Sequence, residues 1–399
     1  MSGGKWYGGE TATRRRSYAT VCGIGAVTAY GWGRKQLWDG LASGESAVVA
    51  SSGWTETLGH DVAYMARITD VDEHDDPRSR FARAMESAVD EAVADAHERG
   101  WRPGPVVGLI HAIVLGEVDP WREFYMERDR HLTKREYLQL MPSTVLSTAM
   151  QRHGFHGPAM SVTAMCASGN AAMLTAKMWL DAGVVTDVIV VATDVSGTTD
   201  NIRHFVDLGV LFVDRPPFEA CRPFQSGSSG FLLGEASVAF VVSRQPEPAY
   251  LKMLGGAMTH DGFHVVSIDP AYTDIRRCFE LALTDAGVDR GDVRYLNAHG
   301  PGTAQCDAAE GAMLDELFAE AEGVFSVKPL TGHCQAAASA VEIAASCRAF
   351  ETGSISAPRQ VAPGHARLLH GPTPRKPGIM LKSSIGMGGH NSVIVLDDM

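Results

Sequence analysis

The stretch Ser161–Leu180, SVTAMCASGNAAMLTAKMWL, decides how the rest of the chain is read. Its lead-in, Ser161-Val162-Thr163, is β-branched and apolar and predicts a buried strand. Cys166 follows, then a turn of small residues, Ala167-Ser168-Gly169. The remainder is rich in Ala, Met and Leu, at a period that suits a helix apolar nearly all round, and therefore buried. A cysteine between a buried strand and the first turn of a buried helix sits at the positive end of the helix dipole. That end favours thiolate, the nucleophilic form. Read alone, the same cysteine is a small core hydrophobe, as most free cysteines are.

Outward from this stretch, the composition is that of an ordinary globular chain. It has 399 residues, 45% hydrophobic and 21% charged, enough for two core units. No apolar run is long enough to span a membrane, and the N-terminus lacks a signal-peptide core. The seven cysteines form no C-x-x-C pair, which reads as a reduced, cytoplasmic protein. A net charge of −12 without a basic stripe speaks against nucleic-acid binding. Residues 1–16 are Gly-rich and end in basic residues, and read as a flexible arm.

The order strand, amphipathic helix, break, strand occurs twice. Ser17–Ala29 is a strand entering a turn, and Phe81–His97 is a helix with Phe81, Met85, Ala88 and Val89 inward and its acids outward. A Gly/Pro break precedes the strand Val106–Leu115. In the second half Leu251–Met258, Ile275–Ala286 and Val293–Ala298 repeat the pattern. This predicts a duplicated α/β fold, with halves 17–245 and 246–399 meeting near SRQPEPA. Such sheets, covered on both faces, present reactive loops at strand ends. Glu117–Ser143 is charged and aromatic, unlike its surroundings, and reads as an inserted cap, a subunit interface or a solvated excursion.

Three further Gly-containing loops lie in the second half: LNAHGPGT (296–303), SVKPLTGHCQ (326–335) and KSSIGMGGHN (382–391). Glycine there allows positive φ and close approach of backbone to a ligand. A cysteine at a helix start with histidines in two such loops is a plausible set for acyl transfer.

These residues together resemble the β-ketoacyl synthases of the elongating, Cys-His-His kind. The likeness runs from about Tyr18 to the C-terminus. TAMCASG resembles the family's nucleophile motif and gives Cys166. HGPGT gives His299, and SVKPLTGH gives Lys328 and His333. Glu342 stands where the family keeps a glutamate partnered with that lysine. RPFQSGSSGFLLGEAS and GMGGHN resemble two further signatures. Five motifs in the right order are specific where any one is weak.

The resemblance implies a thiolase-like fold, layered α-β-α-β-α, and decarboxylative condensation. An acyl group passes from a carrier-protein thioester to Cys166, and malonyl-carrier then loses carbon dioxide and attacks it. It also implies that His299 assists decarboxylation, that Lys328 and Glu342 order His333, and that the N–H groups of Cys166 and Met387 form the oxyanion hole. No cofactor or metal is implied beyond phosphopantetheine on the carrier. The partners implied are an acyl carrier protein and a second subunit, identical or related. Arg78, Arg80 and Arg83 are candidate carrier contacts, although a solvated helix face reads equally.

The chain departs from the pattern at several positions. Met165 replaces a small residue before the nucleophile. Met387 stands for a gating phenylalanine, and Ile385 for a nearby aromatic. Pro301 replaces a threonine, leaving Thr303 to bind the pantetheine arm. Gln225, Ser228 and Ser229 replace charged residues. These departures point to an altered acyl pocket and a specialised polyketide or fatty-acid-like pathway. The rival readings are an acyltransferase or malonyl-carrier decarboxylase, a non-catalytic chain-length subunit, and a thiolase; the last lacks its second cysteine in GMGGHN.

Overall fold

The computed structural model describes residues 17–59, 61–69, 78–126, 133–245 and 249–399. The arm 1–16 and parts of the insertion and of the junction between halves lie outside them. The first half contains β1 (Ala19–Thr28), α1 (Arg80–Glu98), β2 (Val107–Ala112), β3 (Ala159–Val162), α2 (Ser168–Asp181), β4 (Asp187–Asp194) and β5 (Ala236–Ser243). The second contains β6 (Leu251–His260), α3 (Thr273–Ala286), β7 (Val293–Asn297), β8 (Gly323–Phe325), α4 (Ala338–Thr352), β9 (Ile379–Gly386) and β10 (His390–Asp397).

The strands lie in the order β8-β7-β9-β10-β6-β1-β5-β4-β2-β3. Outward from the β1–β6 join, the first half runs first-fifth-fourth-second-third in its own chain order, and the second half does the same. The duplication is thus written in the topology. The join is short: only Ala19, Thr20 and Val21 pair with β6.

Five layers follow from which residues face where. Alternate residues of β4, Val188, Val190 and Ala192, pack with α2 and α4 in one central core. Ile189 and Val191, between them, face α1 on the outside. In the second half Ile394 and Leu396 of β10 face the central helices. Val393 and Val395 face α3 and the helix Ala304–Leu317. The period of two on each strand covers both faces with helices. The predicted buried helix is α2; it exposes Met178 among otherwise buried or half-buried positions.

Helix α1 shows why β1 carries glycines. A Cβ on Gly23 would lie 2.3 Å from the Ala92 carbonyl, and one on Gly25 2.0 Å from that of Ala88. The helix therefore touches the strand backbone directly. Two expected features differ here. Glu86 and Asp95 are buried rather than outward. Beyond Val21, β1 has left β6, and its N–H groups on that edge need acceptors. Ile24 N donates to Asp95 at 2.9 Å and Ala26 N to Glu91 at 2.9 Å. Strand β3 is the other difference: it is the sheet's edge, and Ala159, Met160 and Ser161 are exposed. An apolar edge strand and a buried strand share one composition, so the lead-in to Cys166 read as buried.

The insertion folds into the helices Val118–Met126 and Lys134–Gln139, the second opened by a Thr133/Glu136 capping box. Trp121 and Tyr125 stack at 5.7 Å, and Phe124 meets Tyr137 at 6.2 Å. Beneath lies a cavity of about 750 Å³, walled in part by Phe81, Phe124, Leu140 and Val195.

Candidate active site

Cys166 lies one residue before the α2 cap, Ala167. Its turn is tight: Met165 adopts φ +50°, and the Ser168 hydroxyl donates to the Met165 carbonyl at 2.6 Å. Left-handed backbone at a methionine is costly and persists only where its surroundings enforce it. Gly386 abuts this turn; a Cβ there would lie 2.7 Å from the Ala164 carbonyl. The Ser384 hydroxyl donates to the Cys166 carbonyl at 2.9 Å. The close passage of β9 brings the Met387 N–H to the Cys166 sulfur, beside the N–H of Cys166 itself.

The two histidine loops come from the other half of the chain. One donor atom each from Cys166, His299 and His333 lie within 4.8 Å of one another, and all three residues are buried. The imidazoles meet edge to face at 5.4 Å, with Phe231 against His333 at 4.9 Å. His333 Nδ1 accepts the Gln335 N–H at 3.2 Å. His299 Nδ1 lies 3.5 Å from Lys328 Nζ, a group that can only donate. Both Nδ1 atoms are therefore acceptors, which assigns the proton to Nε2 in each neutral ring. Burial holds both imidazoles well below their usual pKa, and the Lys328 charge pushes them further down.

Lys328 is fully buried. Its ammonium donates to the His299 carbonyl and to Glu342 Oε1. The lysine thus orders His299, whereas the resemblance implied His333. His333 is instead held by backbone: its N–H donates to the Leu232 carbonyl at 2.7 Å, and its carbonyl accepts from Gly234 N at 3.1 Å.

Two buried groups escaped the sequence reading. Glu310 accepts the N–H groups of His299 and Gly300, each at 2.8 Å, and the Ser383 hydroxyl. Its signal was a glutamate in the Ala-rich run AAEGAM, on the inner face of its helix. Lys382 interrupts the apolar strand IMLKSS and stands 2.7 Å from Glu342 Oε2.

The remaining predicted positions divide. Ile385 is buried in the outer core of the second half. Thr303 caps the helix Ala304–Leu317 without a side-chain hydrogen bond to it. Gln225 accepts the N–H groups of Val361 and Ala362, and Ser228 donates to the Gly302 carbonyl at 2.7 Å. Arg78 pairs with Glu86, and Arg80 lies 3.2 Å from the buried Glu235. Both line the cavity under the insertion, whose walls do not include Cys166, His299 or His333. Arg83, a turn further along, is half-buried.

Burial pushes the Cys166 thiol up to about 11, against the opposing pull of the Met387 N–H and the Lys328 charge. The sulfur is thus held as thiol, not the thiolate expected from the helix dipole alone. With neutral rings beside it, no resident cation of the histidine pair offsets desolvation. The thiolate fraction then rises about tenfold per pH unit below the pKa. Alkylation of Cys166 by iodoacetamide, followed by peptide mass spectrometry, is expected to climb without a plateau from pH 7 to 9 in proportion. A plateau below pH 8 would contradict this.

A sulfur with two Nε2–H donors and two converging backbone N–H groups is a site for forming and breaking a thioester. It defines a condensing enzyme. The chain belongs to the β-ketoacyl synthase family: residues 19–247 match the family's N-terminal domain and 250–361 its C-terminal domain. Among curated relatives it is 27% identical to "Nodulation protein E" of Rhizobium sp. (strain N33), over 94% of this chain and 97% of that one. It is 26% identical to the chloroplastic 3-oxoacyl-[acyl-carrier-protein] synthase I of Hordeum vulgare, over 97% and 90%. Solved structures share the fold. One is AntDE:AntF, a type II PKS acyl-carrier protein with its ketosynthase bound to the hexaketide (TM-score 0.84, 21% identity, 96% of this chain and 100% of that one). Another is the ishigamide ketosynthase/chain length factor (0.83, 22%, 96% and 100%).

Proposed function

We propose that the protein joins an acyl group held on Cys166 to a malonyl unit delivered as a carrier-protein thioester. The observation that carries this is the convergence of Cys166, His299 and His333 from opposite halves of the chain. In the first step Sγ attacks the acyl thioester. The tetrahedral oxygen takes its negative charge between the N–H groups of Cys166 and Met387, the carrier thiolate leaves, and the sulfur's proton goes with it. In the second step the malonyl thioester carbonyl accepts from His299 and His333 Nε2–H. The carboxylate C–C bond breaks, its electrons form an enolate, and CO₂ leaves. In the third step the enolate carbon attacks the acyl carbon, the C–S bond breaks with its electrons on sulfur, and the thiolate takes one proton from solvent to restore the Cys166 thiol. Fixed donors aimed at developing oxyanions typically contribute on the order of 10²- to 10³-fold each.

Cys166, His299 and His333 also have the donor types of a three-ligand metal site. The Lys328 ammonium, 3.5 Å from His299 Nδ1, repels a dication there, and the three side chains act without an ion. The test of the function is intact-mass detection of acyl-Cys166 across a panel of acyl-carriers, followed by malonyl-carrier. A β-keto product is expected; acyl transfer without carbon–carbon bond formation would support the acyltransferase reading instead.

The pathway is specialised, and Met387 and Met165 shape the acyl entrance, with Ile385 behind. Thr303 faces the pantetheine arm. Methionine is flexible and fills irregular space. Met387→Phe is expected to shift the preferred acyl chain, read as ratios of kcat/KM across the panel; unchanged ratios remove Met387 as the gate.

The partners we propose are an acidic carrier protein, touching Arg78, Arg80 and Arg83, and a second subunit, identical or related. The carrier contact works with arginines whose charge is partly shared with Glu86 and Glu235. Support for the second subunit is the exposed edge β3 and the exposed apolar side chains Tyr125, Met126 and Tyr137 of the insertion. No helix among the described residues is long and apolar enough to cross a membrane; we place the reaction in the cytoplasm.

A further inference from the structure

Three consecutive carbonyls, that of Asn297 at the end of β7 and those of Ala298 and His299 just beyond it, are all capped by buried ammonium groups. Lys328 takes the last. Lys382, with no exposed surface, takes the first two at 3.3 Å each, and the Ser383 carbonyl as well. The same ammonium stands 2.7 Å from Glu342 Oε2, while Lys328 holds Oε1. Glu342 is thus clamped between two lysines. Its backbone is tied in too, since Asn297 Nδ2 donates to the Glu342 carbonyl at 2.8 Å. At the opposite end of the residue, the Lys382 carbonyl accepts Asn170 Nδ2 at 3.1 Å, on the helix that begins just after Cys166.

A lysine inside a strand is costly to bury unless its charge is compensated. Lys328 already supplies one positive charge to Glu342, so pairing alone does not account for a second. We propose that Lys382 is a positioning residue of the reaction: through Glu342 and these carbonyls it sets where His299 and Lys328 stand relative to the nucleophile helix, and it supplies a second fixed positive charge beside the imidazoles. The proposal rests on the condensing function above.

The charged and titratable groups facing this cluster are Cys166, Glu310, Lys328, Glu342 and the two histidines. Burial first, and then the Lys328 and Lys382 charges, push both rings toward the neutral, Nε2–H form. Removing one positive charge lets them protonate at higher pH. The acid limb of decarboxylation, where the donating neutral ring is lost, then moves upward.

The test uses the full-length protein with Lys382→Met and Lys382→Gln, the second keeping a neutral donor for the carbonyls. Malonyl-carrier decarboxylation is measured across pH, alongside Cys166 acylation by intact mass. In folded variants we expect near-native acylation, decarboxylation lowered ten- to a hundredfold (about 1.4 kcal/mol per tenfold), and the acid limb displaced to higher pH. Native pH profiles in both variants would overturn the proposal, as would failure of both to fold. So would equal losses of acylation and decarboxylation with no pH displacement, since that is what a merely structural role gives. The ring titrations of His299 and His333, followed by NMR of ¹³C-histidine protein, read the same charge effect without turnover. A wild-type protein that decarboxylates no malonyl-carrier defeats the assigned function, whereas unmoved ring titrations defeat the role of Lys382.

Discussion

In Cys166→Ala no acyl adduct forms on the protein, and carbon–carbon bond formation falls by on the order of 10⁴-fold or more. Carbon dioxide release from malonyl-carrier continues, because its donors are elsewhere. The reason is the division of labour in the geometry. The sulfur stands on the first half of the chain, at the end of a turn strained at Met165. The Nε2–H donors stand on the second half, each held by contacts that do not pass through the sulfur: Gln335 N and Leu232 O for His333, Lys328 and Glu310 for His299. Removing the thiol therefore leaves the enolate-forming donors in place with nothing to acylate. The measurement is intact mass after incubation with acyl-carrier, with separate assays of CO₂ and β-keto product. An adduct on any other residue, or product at an undiminished rate, would remove Cys166 from the centre of the chemistry.

Glu342→Gln is expected to be among the most destabilising single changes in the chain. Glu342 is 1% exposed, and both its oxygens face buried ammonium groups. Replacing one partner of a buried ion pair leaves an uncompensated charge, at roughly 3–5 kcal/mol; here two ammonium groups lose the carboxylate they share. The loss is read as a lowered midpoint of chemical unfolding. It should depend on pH with a definite sign. In the variant a buried lysine prefers its neutral form, so the folded state binds fewer protons than the unfolded state, whose lysines titrate near 10.4. Stability of the variant relative to the native protein therefore rises as pH rises from 7 toward 9. A deficit below about 1 kcal/mol, or one that grows with pH, would mean that the lysines find other counter-charges.

The nucleophile and its two histidines were legible because each lies in a short contiguous motif beside glycines. Three loops could be recognised without knowing what they touched. The supporting charges were not. Lys382 sits in a run that otherwise reads as a buried strand, and only tertiary pairing shows that its neighbours are three carbonyls and a carboxylate. Glu310 is hidden the same way in a helix of small residues. Lys328 and its Glu342 partner are legible from the motif, but the histidine that the lysine reaches is not, since its contact with His299, 29 residues earlier, exists only in the folded chain. The acids of α1 read as outward because helical periodicity does not reveal that β1 parts from β6 after Val21 and leaves its N–H groups for Asp95 and Glu91. The exposed β3 and the protonated thiol share one cause. Both depend on how much water remains, and composition does not report that.

The meeting of α2 and α4 in the central layer has a further consequence. Gly169 faces the Ser339 hydroxyl, where a Cβ would lie 2.5 Å away, and Asn170 N donates to that hydroxyl at 2.9 Å. This seam is where the duplicated units touch at their reactive ends. One unit carries the sulfur and the other both imidazoles, so neither alone holds the set that carbon–carbon bond formation needs. Expressed as two separate polypeptides, the units would regain turnover only on reassociating across that glycine.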